Sequence, residues 1–295
     1  MKNIFLFALC FICISYSSLS QNKEGDYDKL VEKLNNYLSH YTNYTGNEYG
    51  FISLNHKQLG FTKKEIKALK KEDIDFPINK DSIDVQDLIF TYQEKIINSL
   101  SLILNHKDFD EKIKETTFNQ ELSIVFSTDN KLYNFSLDEK TGGTYRSRIS
   151  LMYYTESDSI YEGDIFEPDG YGLIDTIQTN SRVKYLMEGN VRGCSYCFTN
   201  HVSLIQFKKD TVNLDFYYRF DSRDWDDYIE VDSTKRVMKA YYHLNDLQES
   251  CSCNNEDEGT IEFEIEKNIS CSCRFKFNGE TFELVEKKEK VILEK

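Results

Sequence analysis

Residues 121–137 read ELSIVFSTDNKLYNFSL, and the fold turns on them. Two runs rich in β-branched and aromatic residues flank the polar STDN, which is the pattern of two strands joined by a tight turn. Before this point the apolar residues recur at helical spacing; from about Gln120 onward they recur every second residue. RISLMYYT, VSLIQFKK, VNLDFYYRF, RVMKAYYHL, TIEFEIEK, CRFKF and TFELVEK continue the pattern, with KKDT and FNGE as turns. Asn278-Gly279 in the last of these is a hairpin signal. Links this short imply antiparallel pairing, because parallel strands need long crossovers. TIEFEIE alternates strictly, placing Ile261, Phe263 and Ile265 on one face and glutamates on the other, as in a sheet half buried and half wet.

Upstream, DYDKLVEKLNNYLSHY sets Leu30, Leu34, Tyr37, Leu38 and Tyr41 in one apolar stripe. TKKEIKALKKE opens with Thr62 and Glu65 in capping-box register. The longest helix is predicted from Asp84 to His106, with Val85, Leu88, Ile89, Tyr92, Ile96, Leu100, Ile103 and Leu104 on its buried side. The expected class is therefore α+β, N-terminal helices followed by a large antiparallel β-meander. Residues 1–20 read as a signal peptide, 21–118 as the helical region and 119–295 as the antiparallel β domain.

The signal reading rests on MKNIFLFALCFICISYSSLS: Lys2, an apolar run from Ile4 to Ile14, then small polar residues. The run is shorter than the roughly 20 residues that cross a bilayer. Cleavage after Ser20 fits the small-x-small pattern of Ser18 and Ser20, and predicts an exported protein, periplasmic or secreted. Bulky Leu9 and Ile12 before Cys10 and Cys13 argue against lipid attachment. No later stretch approaches membrane length, so no span is expected in the mature chain. A net charge of −14 repels phosphate backbones and argues against nucleic acid as a partner.

STDNKLYNFSLDEKTGG carries the strand, turn, strand, Asp, Gly order of a propeller blade, but such a repeat must recur every 40–45 residues or so and no second copy is present. The same run, with TGGT at 141–144, resembles an uncharacterised family of secreted bacterial proteins over roughly residues 120–240. The resemblance implies a helical N-terminal part with a β-rich remainder, and no activity. Physically, TGGT is a tight turn in which Gly142 and Gly143 take dihedrals closed to other residues.

Six cysteines follow the signal segment: Cys194, Cys197, Cys251, Cys253, Cys271 and Cys273. An even count in an exported chain favours disulfides. Bonding within either C-x-C closes a strained ring and is discounted. Joining Cys251 and Cys253 to Cys271 and Cys273 requires the acidic loop NNEDEG to fold back along the TIEFEIEK strand; otherwise each pair finds partners elsewhere. A structural zinc held by the four C-x-C thiolates is the alternative, with Glu256, Asp257 and Glu258 drawing the cation. A redox role for Cys194-Ser-Tyr-Cys197 lacks the strand-to-helix setting that activates a thiol.

His40, His56, His106, His201 and His243 form no metal-ligand spacing and read as surface or helix-end residues. DSRDWDD gathers Asp221, Asp224, Asp226 and Asp227 around Trp225, and EGDIFEPDG gathers Glu162, Asp164, Glu167 and Asp169; both are candidate metal ligands for calcium. Paired carboxylates with Trp225, Tyr217 and Tyr218 as a sugar platform form a hydrolase reading. No nucleophile elbow, phosphate loop or nucleotide fingerprint occurs, so no cofactor and no catalytic residue is assigned. The expectation is a non-enzymatic binding or structural module with a protein or glycan partner. A carboxylate-dependent hydrolase of envelope or extracellular polysaccharide, or a zinc- or calcium-stabilised module, are the alternatives.

Overall fold

Helix α1 (Tyr27–Tyr41) begins where Asp26 caps the backbone N–H of Asp28, and it buries Leu34, Tyr37, Leu38 and Tyr41. The structure is a computed structural model that describes residues 26–70, 81–142, 147–157, 159–161, 170–179, 182–208, 211–232, 234, 236–244, 251–253 and 269–291. The signal segment, the TIEFEIEK strand with its NNEDEG loop, the EGDIFEPD acids and Gly143 lie outside those residues. Strand β1 (Phe51–Ser53), α2 (His56–Leu59) and α3 (Lys63–Leu69) follow. The predicted capping box closes α3: Thr62 accepts from the Glu65 N–H and Glu65 accepts from the Thr62 N–H. Strand β2 (Ser82–Asp84) pairs antiparallel with β1 and leads into α4 (Val85–Leu104), capped by Asp84. Helix α5 (Phe109–Lys112) ends this part.

The β-rich remainder comprises three four-stranded antiparallel sheets. The first holds β3 (Leu122–Phe126), β4 (Leu132–Asp138), β5 (Arg148–Tyr154) and β6 (Ser159–Tyr161). The second holds β7 (Tyr171–Gln178), β8 (Val183–Arg192), β9 (Phe198–Lys208) and β10 (Thr211–Ser222). The third holds β11 (Tyr228–Asp232), β12 (Val237–His243), β13 (Ile269–Phe277) and β14 (Phe282–Val291). The mixed α+β class is thus present, but the single large meander is corrected to three sheets in chain order. Twist accumulates across strands, and open sheets beyond about ten strands split into packed layers.

Alternation along each strand dictates the stacking. Tyr133, Phe135 and Leu137 of β4 share a core with α1 and α4, whereas Leu132, on the other face, packs with Ile174, Tyr185, Met187 and Ile205 of the second sheet. The second sheet's far face brings Ile177, Leu186, Val202, Leu204, Tyr218 and Phe220 against Met238, Ala240, Tyr242 and Phe275 of the third. The layers therefore run helices, first sheet, second sheet, third sheet. Strand β8 is covered on both sides, Leu186 facing the third sheet and Tyr185 and Met187 the first, so it carries no clean alternation. Edge strand β7 buries only Tyr171, Ile174 and Ile177, at irregular spacing, and both escape a period-two reading.

The opening stretch forms the β3–β4 hairpin, Leu122 opposite Leu137 and Phe126 opposite Tyr133. Asn130 takes φ +57° in its turn, a left-handed conformation that asparagine tolerates. His201 is fully buried rather than at the surface. Its ring stands edge-on to Tyr171 with centroids 5.4 Å apart, and a Cβ at the facing Gly189 would come within 2.7 Å of its Nε2. Glycine is therefore required opposite it.

Glu188 of β8 lies between Leu173 and Val202 in the ladder, and burial pushes its carboxyl above the ordinary range. Stability linked to a raised carboxyl is complete below the unfolded value and is lost as pH rises through the folded one. Glu188→Gln has no proton to lose, so it is expected to melt above the parent at about pH 8. That gap should close below about pH 4. Melting curves across this range check it; a gap that widens on acidification contradicts the assignment.

Candidate functional site

The five residues joining β10 to β11 are Arg223, Asp224, Trp225, Asp226 and Asp227. Side-chain acceptors shape this loop locally, as short polar residues do in turns. Ser222 Oγ accepts the Asp224 N–H at 3.1 Å, and Asp224 Oδ1 accepts the Asp226 N–H at 3.0 Å. The turn drives Asp227 inward until its side chain has no solvent contact. Its carboxylate then accepts from Ser222 Oγ at 2.6 Å, from the His243 N–H at 3.0 Å and from His243 Nδ1 at 2.7 Å. Asp224 Oδ2 stands 3.5 Å from the same Nδ1. Burial raises the Asp227 carboxyl above its usual value, against the lowering effect of the Ser222 and His243 contacts.

His243 is itself oriented from behind. Tyr241, two residues earlier on β12 and so on the same face, places its hydroxyl 3.2 Å from Nε2. The Tyr241 ring also meets the imidazole edge-on at 5.2 Å, and cross-strand Tyr228 packs beside Tyr241 at 5.8 Å.

Trp225, 69% exposed, projects from the loop with its ring 4.5 Å from that of Phe198 at the start of β9. The β8–β9 turn just before Phe198 carries Tyr196, 67% exposed, between Cys194 and Cys197. Those two cysteines lie at disulfide distance, Cα atoms 4.7 Å apart. The Gly193 N–H donates to the Cys197 carbonyl and the Tyr196 N–H to the Cys194 sulfur. One end of the second and third sheets thus presents two aromatic side chains on turns tied down at their bases.

Of the four aspartates singled out around Trp225, only Asp224 and Asp227 converge, and they do so with His243. Asp221 is held instead by Thr199 Oγ1 at 2.6 Å, and Asp226 lies exposed outside the group. Among the described residues this is the one group of three or more His, Cys, Asp or Glu whose donor atoms gather, all within 4.8 Å of one another. The sugar platform does not form: Tyr218 is buried between the second and third sheets, and adjacent Tyr217 points to the opposite face.

The remaining cysteines stand in two parallel pairs at disulfide distance, Cys251 with Cys271 and Cys253 with Cys273, Cα atoms 5.6 Å apart in each. All four are buried between the second and third sheets. The carbonyl of intervening Ser252 accepts from Tyr218 at 3.1 Å and from Tyr242 at 2.9 Å, using both of its lone pairs. A separate cleft of about 400 Å³ beside α2 and α3 is lined by residues including Asn55, His56, Lys63 and Asp81. Among the described residues no helix is long and apolar enough to cross a membrane. No protein-family model matches the chain, and no curated protein matches it in sequence.

Proposed function

We propose that the protein is exported to the periplasm or the medium and acts there as a non-enzymatic binding module braced by three disulfides. The observation that carries the reading is the pair of exposed aromatics, Tyr196 and Trp225, on turns anchored by Cys194–Cys197 and by the Ser222–Asp227–His243 contacts. Large side chains held rigidly in water lose little entropy on binding, which favours them as anchors.

The ligand is a basic protein segment. Trp225 is flanked in sequence by Asp224 and Asp226, and an exposed tryptophan face suits a guanidinium or ammonium group, which acidic neighbours also attract. The chain's net charge of −14 attracts such a segment and repels polyanions. The carboxylate-hydrolase alternative draws no support from this end, because Asp227 is closed to solvent and a sugar could not reach it.

Trp225 is the single tryptophan, so its emission reports directly. Titration with a hexa-arginine peptide in chelator-containing buffer is expected to give a saturable change that weakens as salt rises. Trp225→Ala should weaken the affinity, followed by calorimetry, by about tenfold. A response to neutral oligosaccharide alone would replace the peptide by a glycan, and no response to either removes the binding reading.

A further inference from the structure

The geometry points to a divalent-cation site of the zinc class formed by Asp224, Asp227 and His243. It goes beyond the binding reading, which rests on Trp225 and the aromatic turns. Three donor atoms from two elements, the β10–β11 loop and the end of β12, lie within 4.8 Å of one another. Zinc bonds nitrogen and carboxylate oxygen at about 2.0–2.2 Å, so two ligands of one tetrahedral ion stand roughly 3.3 Å apart. His243 Nδ1 and Asp224 Oδ2 are already 3.5 Å apart. Nδ1 and Asp227 Oδ1, at 2.7 Å, share a proton. An ion entering between them displaces that proton to water and binds the Nδ1 lone pair and the carboxylate oxygen in its place, opening the gap by about half an ångström.

The surroundings are those of a ligand set with its outer support in place. Tyr241 holds Nε2, which fixes the ring so that Nδ1 faces the carboxylates, and Ser222 holds the Asp227 oxygen turned away from the imidazole. Outer contacts of this kind orient metal-bound histidine and carboxylate. The donor set also selects the ion. One imidazole and two carboxylates suit zinc, cobalt or nickel, whereas calcium requires six to eight oxygens. Asp224 is the exposed ligand, half open to solvent, and Asp227 the buried one. The ion's remaining positions therefore face water on the Trp225 side, and the ion ties the loop to β12.

The test is calorimetric titration of the untagged protein with zinc chloride, with cobalt chloride as a spectroscopic probe. The expected result is one zinc per chain, a visible cobalt band of low-coordinate type, and cobalt quenching of Trp225 emission with the same stoichiometry. His243→Gln and Asp224→Asn, each checked for an unchanged circular dichroism spectrum, should weaken zinc at least tenfold. Asp226→Asn, in the same loop but outside the donor set, should bind as the parent does. Absence of zinc binding, preference for calcium, or equal weakening by Asp226→Asn would overturn the site. Trp225→Ala should retain the zinc stoichiometry while binding the arginine peptide about tenfold more weakly, so the two readings fail separately.

Discussion

Lys184→Ala is expected to lower the free energy of unfolding by about 3 kcal/mol. The Lys184 side chain is 4% exposed, yet its ammonium sits 2.9 Å from Asp215 Oδ2 and 3.2 Å from the Glu280 carboxylate, and it donates to the Glu280 carbonyl as well. These partners come from different sheets: Asp215 lies at the bulge of β10, where the register shifts between Leu214 and Phe216, and Glu280 in the β13–β14 turn. Thr281 reinforces the junction by donating to the Asp215 carbonyl at 2.8 Å. Removing the ammonium leaves the Asp215 carboxylate without its cation in a partly buried place, whereas exposed Glu280 returns to water at little cost. The effect therefore falls at the low end for a broken buried pair. Lys184→Met keeps the apolar stem and should lose nearly as much as alanine, since the uncompensated carboxylate dominates. Lys184→Met with Asp215→Asn removes both charges and should recover most of the loss, because a buried pair seldom outperforms a neutral replacement. Urea midpoints for the four proteins of this cycle measure the coupling; strict additivity would mean that the two groups do not act together.

Local signals carried the sequence reading as far as single elements reach. Helix α4 ends within two residues of its predicted span, since its caps and its apolar period agree, and Thr62 and Glu65 announce α3 by themselves. The Asn278-Gly279 turn appears as the β13–β14 hairpin with Gly279 at φ +113°. Strand β8 was illegible, because VKYLMEGNVR interleaves Lys184 and Glu188 with apolar residues while sheets cover both of its faces. Its lysine is readable only once Asp215 and Glu280 are placed beside it. The candidate site shows the same boundary. DSRDWDD identified Asp224 and Asp227, but His243 lies sixteen positions beyond Asp227 and follows no motif. The β11–β12 register supplies the link: Tyr228 opposite Tyr241 carries Asp227 to the level of the strand end where His243 stands. A hairpin alignment of DYIEVD with RVMKAYYH was the signal available. It requires committing to a register, and composition does not set one.

Replacing Cys251, Cys253, Cys271 and Cys273 together by alanine is expected to cost about 3 kcal/mol, in the chain-entropy description of a loop of this length. Each pair spans a sequence separation of 20, and the two loops nearly coincide. Once one is closed, the other has little unfolded-state entropy left to remove. Either pair alone should therefore cost about 1 kcal/mol or less, with the full loss appearing only when both are gone. Burial adds a kinetic consequence. All four sulfurs are enclosed with Tyr218, Tyr242 and Phe275, whereas Cys194 and Cys197 sit partly exposed on the β8–β9 turn. A reductant acting on the folded protein should open the turn first, since exchange requires access to a sulfur. Mass spectrometry after alkylation should then show two modified cysteines in the native protein and six only after unfolding. If the purified protein carries these six cysteines as alkylatable thiols without any reductant, or if the fourfold variant unfolds at the parent's urea midpoint, the third sheet is not held by these bonds. Its attachment would then rest on the Lys184 junction and the Ser252 carbonyl clasped by Tyr218 and Tyr242.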